Sequence, residues 1–400
     1  MEYSNIFEKN IILICIKINV LLKFLLIIFI INFLYLSFNY PKKKILHLQT
    51  KTRIKQLIEG EKYIKICLKG LLINKNFEKE KRPKISVIIP VYNCEKSIIP
   101  SIRSIQNQQF LGIEIIIVND FSKDNSSFVI EKLKKKDSRI KIINNNKNMG
   151  TLYSRCIGVI NAKGKYIFSL DQDDLFFNYD IFKYIYNIAK DGNFDIISFK
   201  SIYIANYRDN ISKMNDSPFS YHPNNLILFQ PKLSKYPINK KKLYNDIHIW
   251  AKSIKKAVYK KAVNLLGKKR YSVFMSWAED TSMIFIIFNI AKSFKFVDKY
   301  GVIHLNATMT SSFTQPLNNK IFGEIYLLDI IFDFSKNNSN KNLAVDYALY
   351  IKPHYNYNKF KKDKNYNYLN LILQKIINCK FISKSNKLKI KNKFKDFFNL

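Results

Sequence analysis

Three short runs rich in Ile, Val and Phe, each cut off by a polar turn, constrain this chain more than any other feature. They are Ile85-Ser86-Val87-Ile88-Ile89, Ile113-Glu114-Ile115-Ile116-Ile117-Val118 and Tyr166-Ile167-Phe168-Ser169-Leu170. The turns after them are Pro90-Val91-Tyr92-Asn93, Asn119-Asp120 and Asp171-Gln172-Asp173-Asp174. Near-continuous apolar runs of this length, separated by helix-length amphipathic stretches, predict the buried strands of a parallel sheet. Helices are expected over 97–107, 126–135 and 151–161, and further strands over 140–143 and 196–204. In such a sheet the ligand crevice lies beyond the carboxyl ends of the strands. All three polar turns then share one mouth, whose chemistry suits a cation and a phosphorylated ligand.

The 400 residues, 47% hydrophobic, can fill one large core or two modest ones. A formal net charge of +37 would ordinarily point to nucleic acid. Here the charge is almost all lysine, spread along the chain among Asn, Ile and Tyr. Arginine, the residue suited to base and phosphate forks, is scarce. No nucleic-acid partner is expected; attraction to acidic lipid headgroups is. The five cysteines (Cys15, Cys67, Cys94, Cys156, Cys379) form no C-x-x-C pair and suggest neither a zinc site nor a disulfide framework.

The stretch 11–40 is overwhelmingly apolar, and its cleanest part, 24–40, is flanked by Lys23 and by Lys42 to Lys44. At 1.5 Å per residue it is just long enough to cross a hydrocarbon core. A membrane anchor over 1–44 is expected, with a signal peptide or an interfacial helix as the alternatives. Basic residues after it favour a cytosolic catalytic part. Sequons at Asn125, Asn210 and Asn306 would permit a lumenal one, and the side stays open. The expected location is a single pass in the Golgi or ER membrane. Helix-like spacing then marks a short stem within 45–83, and apolar patches such as 369–377 suggest accessory helices in a Lys/Asn-rich extension over 336–400.

Asp171 and Asp173 are two apart, so in an extended segment their carboxylates point the same way. Two hard oxygen ligands at a strand end suit Mg²⁺ or Mn²⁺ completed by phosphate oxygens and water. The competing reading is that Asp173 or Asp174 caps the next helix.

From Ile85 to Asp174 the chain resembles the nucleotide-binding half of the inverting family 2 glycosyltransferases. The resemblance is carried by the turns at Val87 to Asn93 and Ile117 to Asp120, by Asn148-Met149-Gly150, Ser154-Arg155-Cys156-Ile157-Gly158 and Ala162-Lys163-Gly164, and by Leu170 to Asp174. It is looser at Ile249-Trp250-Ala251-Lys252 and Ala278-Glu279-Asp280-Thr281. It implies a GT-A nucleotide-diphospho-sugar transferase fold, α/β, with a Rossmann-like, mostly parallel sheet flanked by helices. That domain would span 84–335, with a nucleotide-binding half over 84–204 and an acceptor half over 205–335. By the same resemblance Asp120 would bind nucleobase or ribose, and Pro90, Val91, Tyr92 and Asn93 would floor the nucleotide pocket. Arg155 and Gln172 would contact the nucleotide region, and Asp171 and Asp173 would hold ribose and metal-diphosphate. Asp280 would be the general base, and His304 a weaker metal-side candidate. One departure is Cys156, where many relatives have Asn. Each site residue also has a structural reading: Asp120 as a turn former, Arg155 on a solvated helix face, Asp280 as a helix cap, His304 as a core histidine.

No P-loop, G-x-G-x-x-G or H-E-x-x-H is present. The Gln-x-x-Arg-Trp motif of processive synthases is missing too. The reading is a non-processive, membrane-anchored, metal-dependent transferase using a nucleotide-sugar donor, UDP-linked on family frequency. The acceptor, a glycan, lipid or protein hydroxyl, stays open, with its selectivity expected in 206–245. The alternative is a catalytically silent, membrane-tethered binding protein of the same fold.

Overall fold

The computed structural model describes residues 43–73, 81–204, 215–216, 227–229, 248–275, 277–305 and 317–336, with isolated positions beyond. The expected span over 24–40, most of 206–245, Asn210, Asn306 and nearly all of 369–377 lie outside the described residues.

A helix α1 (Lys43–Leu68) comes first. A repeating strand–helix unit follows: β1 (Ile85–Val91), α2 (Ile98–Gln106), β2 (Ile113–Asn119), α3 (Ser126–Lys136), β3 (Ile140–Asn144), α4 (Thr151–Asn161) and β4 (Tyr166–Ser169). The chain continues through β5 (Leu175–Phe176), α5 (Ile181–Gly192), β6 (Ile196–Ile204) and the short strands β7 (Asn215–Asp216) and β8 (Ile227–Phe229). It ends with β9 (Lys252–Lys255), α6 (Lys256–Leu266), α7 (Lys268–Tyr271), α8 (Glu279–Ile290), β10 (Ser293–Leu305) and α9 (Leu317–Lys336).

The strands form one sheet in the order β3-β2-β1-β4-β9-β6-β10-β5, with β7 on β6 and β8 on β10. β1, β2, β3 and β4 pair in parallel, as expected. The other half corrects the expectation of a mostly parallel sheet. β9 lies antiparallel to both β4 and β6, β5 and β8 antiparallel to β10, and β7 antiparallel to β6; only β6 and β10 are parallel there. The sheet is mixed because β9, inserted between β4 and β6, runs against both. That antiparallel insertion still leaves β6 and β10 running in the sense of β1 and β4, so their carboxyl ends reach the same mouth.

Both faces of the sheet are covered, which is why the runs are apolar at nearly every position. On one face Ile85, Val87, Ile89, Ile113, Ile115 and Ile117 pack with α2, α3 and α5. On the other, Ile88, Ile116 and Val118 pack with α4, α6, α8 and α9. Helix α8 is apolar almost all round, from Met283 to Phe288. A helix of that kind must be covered on every side, and Leu327, Leu328, Ile330 and Ile331 of α9 help to cover it.

The expected stem does not stand away from the domain. Tyr63, Ile64 and Cys67 of α1 are buried with Leu175, Phe177, Ile202, Tyr300 and Ile303. Gly60 is what permits this closeness: a Cβ there would sit 2.1 Å from the Phe177 ring. Among the described residues no helix is long and apolar enough to cross a membrane.

Candidate active site

The three turns meet as one mouth, stitched together by side chains of the turns themselves. The Gln172 amide grips the backbone of Tyr92, accepting from its N–H at 2.7 Å and donating to its carbonyl at 3.1 Å. Asn93 joins the first turn to the second: its N–H donates to Ser122 Oγ (3.1 Å), and its Oδ1 accepts from Lys123 N–H (2.8 Å). Behind them Glu95 N–H donates to Asp124 at 3.1 Å and Asn125 N–H to Glu95 at 3.0 Å. The Tyr92 ring is left 40% exposed at the rim.

Asp120, 3% exposed, turns inward. Its carboxylate accepts from Asn145 Nδ2 (2.7 Å), Met149 N–H (2.8 Å) and Gly150 N–H (2.7 Å). Gly150 has φ of +86°, a conformation open to glycine at no steric cost. Asp120 therefore ties the start of α4 to the end of β2, and these bonds occupy both of its oxygens. Residue 155 follows one turn into that helix.

Arg155 is 4% exposed, not on a solvated face. Its Nη2 donates to Asp171 at 2.5 Å, its Nη1 pairs with Asp280, and Glu279 lies at 4.0 Å. Burial alone would lower the guanidinium pKa, but Asp280, Asp171 and Glu279 together raise it, so it stays charged. Asp280 sits in the first turn of α8, and its other oxygen accepts from Ile249 N–H at 3.2 Å. Burial pushes the Asp280 carboxyl up while Arg155 pulls it down; Glu279 is raised to about 7 by burial and then by Asp280.

Backbone strain concentrates here. Of the five non-glycine residues with positive φ among those described, Asn93 (50°) belongs to the mouth itself, and Phe121 (64°), Ala251 (54°) and Ala278 (63°) adjoin Asp120, Trp250 and Glu279. Each such conformation costs on the order of 1–3 kcal/mol, and Ala278 spends it turning Glu279 and Asp280 towards Arg155.

On the far side of the acidic turn, Asp174 is fully buried and faces His304 Nδ1 at 3.0 and 3.1 Å. His304 stacks on Trp250 (5.4 Å, 4°), and Trp250 on His248 (4.7 Å, 22°). Burial would lower the His304 pKa, but Asp174 overrides it and raises it to about 9. Asp173 is pushed up to about 7 by burial, then by Asp174 and Asp171. Asp171 is thus engaged by Arg155 and His304 by Asp174, and no group of three His, Cys, Asp or Glu capable of holding a metal occurs among the described residues. The donor chemistry nevertheless fits Mg²⁺ or Mn²⁺. Such ions are commonly held by one or two carboxylates with substrate phosphates and water completing the shell. Five carboxyls (Asp171, Asp173, Asp174, Glu279, Asp280) face Arg155, His304 and, at Asp280, Lys252.

The structure brings Pro90 to Asn93, Asp171, Gln172, Asp173, Arg155 and Asp280 to one mouth, with Asp120 just beneath and His304 beside Asp174. From sequence Asp174 is read only as a possible helix cap, whereas its carboxylate faces His304; His248 and Glu279 have no role assigned from sequence. The Trp250 segment carried a usable signal; His248 carried none.

The mixed α/β sheet, with its polar turns gathered at one mouth, has the GT-A-like fold of the nucleotide-sugar transferases. Residues 86–254 match the family described as "Glycosyl transferase family 2", and the chain carries a domain of that family. A Campylobacter jejuni protein named "GalNAc(5)-diNAcBac-PP-undecaprenol beta-1,3-glucosyltransferase" is 40% identical over 93 residues, 23% of this chain and 30% of that protein. An Escherichia coli "UDP-Glc:alpha-D-GlcNAc-diphosphoundecaprenol beta-1,3-glucosyltransferase" is 42% identical over 90 residues, 22% of this chain and 35% of that protein. The matched stretch thus spans about a third of the length of these curated relatives. Staphylococcus aureus TarS, residues 1–349 in complex with UDP, shares the fold with a TM-score of 0.54 at 16% identity, covering 79% of this chain and 88% of that one.

Proposed function

We propose that this chain is a membrane-associated, metal-dependent inverting glycosyltransferase that moves one sugar from a UDP-sugar to a hydroxyl of a lipid-linked acceptor. The observation that supports it most is Arg155, whose single guanidinium holds both Asp171 and Asp280. A single displacement needs a base on one side of the anomeric carbon and a stabilised diphosphate on the other. One rigid side chain here sets the distance between the carboxylates suited to those tasks. In this reading Tyr92 and the first turn floor the nucleobase, and Asp171 and Asp173 face ribose and diphosphate. Asp280 removes the acceptor proton. Bound at Asp173, a divalent cation would neutralise charge on the leaving diphosphate.

The UDP assignment is supported by the complex formed by TarS, and the lipid-linked acceptor by the names of the two undecaprenol-linked relatives. Membrane association is supported by the apolar run over 24–40 with its flanking lysines.

The test is nucleotide diphosphate release by the full chain in mild detergent. It uses a panel of UDP- and GDP-sugars with Mn²⁺ or Mg²⁺ and a polyprenol-diphosphate-sugar acceptor. Release should need the metal, disappear in Asp173→Asn, and fall by ~10²–10⁴-fold in Asp280→Asn with donor binding kept, the span a positioned base contributes. Donor binding with no release from any donor would leave the silent binding protein as the correct reading. An Asp280→Asn variant as active as wild type would remove the base assignment.

A further inference from the structure

Helix α1 lies upstream of the matched family domain, which begins at residue 86. We infer that α1 is part of the catalytic unit, and that Gly60 and Tyr63 are positioning residues for the acidic turn. The inference rests on the donor-site reading above.

The path is short and made of named contacts. The four residues after the acidic turn, 175–178, are clamped from three sides. From α2, Ser104 Oγ accepts the N–H of Phe176 at 3.0 Å, and just beyond that helix Gln108 Nε2 donates to the Asn178 carbonyl at 2.6 Å. From β10, the Gly301 carbonyl accepts the N–H of Phe177 at 2.8 Å, and the Tyr300 carbonyl accepts from Asn178 Nδ2 at 2.7 Å. The third side is α1. The Tyr63 hydroxyl, in a residue 2% exposed, donates to the Ser104 carbonyl at 2.6 Å and accepts from Gln108 Nε2 at 3.2 Å. Gly60 leaves room for the outer end of the Phe177 ring to press against the helix, and that ring also meets Tyr300 edge-on at 6.0 Å.

The clamp holds both halves of the acidic cluster. Asp174 immediately precedes the clamped segment, while His304, its partner, follows Gly301 by three residues on β10. Ser101, one turn before Ser104 on α2, also reaches the Asp171 carbonyl at 3.5 Å. Loosening α1 frees Phe177, lets the segment and β10 shift apart, and widens the Asp174–His304 contact. The first two turns have ties of their own that do not pass through this segment, from Asn93 to Ser122 and from Asp120 to Met149 and Gly150. Damage to α1 therefore falls on the diphosphate end of the site and spares the nucleobase end.

The experiment compares wild type, Tyr63→Phe and Gly60→Leu as full chains in detergent, with thermal unfolding to confirm that each is folded. Calorimetry measures uridine alone, then UDP with Mn²⁺, and amide exchange follows Phe176 to Asn178. For Tyr63→Phe, uridine affinity should stay within about twofold. Mn²⁺–UDP affinity should fall roughly fivefold, the size of one ordinary buried hydrogen bond, and exchange at Phe176 to Asn178 should quicken. Gly60→Leu should show a larger effect of the same kind. A uniform loss of both affinities would mean a merely structural helix and would overturn the inference. So would unchanged Mn²⁺–UDP affinity or unchanged exchange in Tyr63→Phe. If wild type binds no UDP at all, the donor-site reading fails, and exchange at Phe176 to Asn178 still decides whether α1 holds the clamp.

Discussion

Replacing Arg155 by Met tests the electrostatic heart of the site. Arg155 is buried, and its guanidinium pairs with Asp171 at 2.5 Å and with Asp280, while Glu279 lies at 4.0 Å. At an effective dielectric of 20, one pair of charges at 4 Å is worth about 4 kcal/mol, and the cost of burying the charges cancels much of this. Removing one partner is different, because it leaves the others buried and uncompensated, at about 3–5 kcal/mol. Against a total stability of roughly 5–15 kcal/mol the variant stays folded but weakened. The deficit must also depend on pH. Glu279 is already raised to about 7 by burial and by Asp280, with Arg155 the largest influence lowering it; Asp280 is raised by burial and then by Asp171, again with Arg155 the largest influence lowering it. Without the guanidinium both carboxyls rise further. A carboxyl whose folded pKa exceeds its unfolded value binds a proton on folding, so stability is lost as pH rises through the folded value. The deficit of Arg155→Met should therefore be largest above about pH 7 and shrink towards pH 5.5. Urea unfolding at pH 5.5 and 7.5, followed by the fluorescence of Trp250 and Trp277, measures it. Adding Asp280→Asn to the variant should recover part of the loss, with a coupling of at least about 1 kcal/mol. A deficit under about 1 kcal/mol at pH 7.5, or one equal at both pH values, would refute the reasoning.

Two further outcomes are expected. A fragment beginning at Lys81 loses Tyr63, Ile64 and Cys67 from the cluster around Phe177 and Tyr300. Those side chains contribute on the order of 5 kcal/mol by burial, so it should unfold at lower urea than a fragment beginning at Lys43, and equal midpoints would show that α1 adds nothing. Burial raises the thiols of Cys67 to about 11, Cys94 to about 12, and Cys156 as well. After Cys15→Ser and Cys379→Ser, the native chain should not react with a thiol reagent at pH 8, whereas three thiols should react in denaturant; rapid native labelling would contradict the burial.

The first half of the domain was legible because each of its elements announces itself locally. The runs at Ile85, Ile113 and Tyr166 are strands, the helix over 151–161 falls on its expected bounds, and the strand over 196–204 does too. Their side chains are covered on both faces, so composition alone reports burial. The second half was less legible for a physical reason. β9 is four residues long and β5 two, too short for any period to show. β10 carries Lys295, Asp298, Lys299 and His304, with register shifts between Val297 and Val302 that break its alternation. Helix α8 was expected from Met283, yet begins at Glu279. Its start depends on the left-handed Ala278, a conformation that nothing about an alanine advertises.

The same contrast explains how the site is built. The match to the family ends at residue 254, before Asp280 and His304, so the matched stretch contains the three polar turns but not the groups opposite them. Those come from α8 and β10, and Arg155 is the point where the two halves meet. It is carried by α4, whose start is fixed by Asp120, and it binds Asp171 of one half and Asp280 of the other. Asp120 need not touch a ligand to matter: by capping Met149 and Gly150 it sets the position of the guanidinium that sets both carboxylates. Asp120→Asn keeps the size of the side chain but turns one acceptor into a donor facing the N–H groups of Met149 and Gly150. Its effect should therefore appear at Arg155, as a smaller stability cost for Arg155→Met in the Asp120→Asn background than in wild type. Strictly additive costs would mean that α4 is placed by its packing on Ile88, Ile116 and Val118 alone.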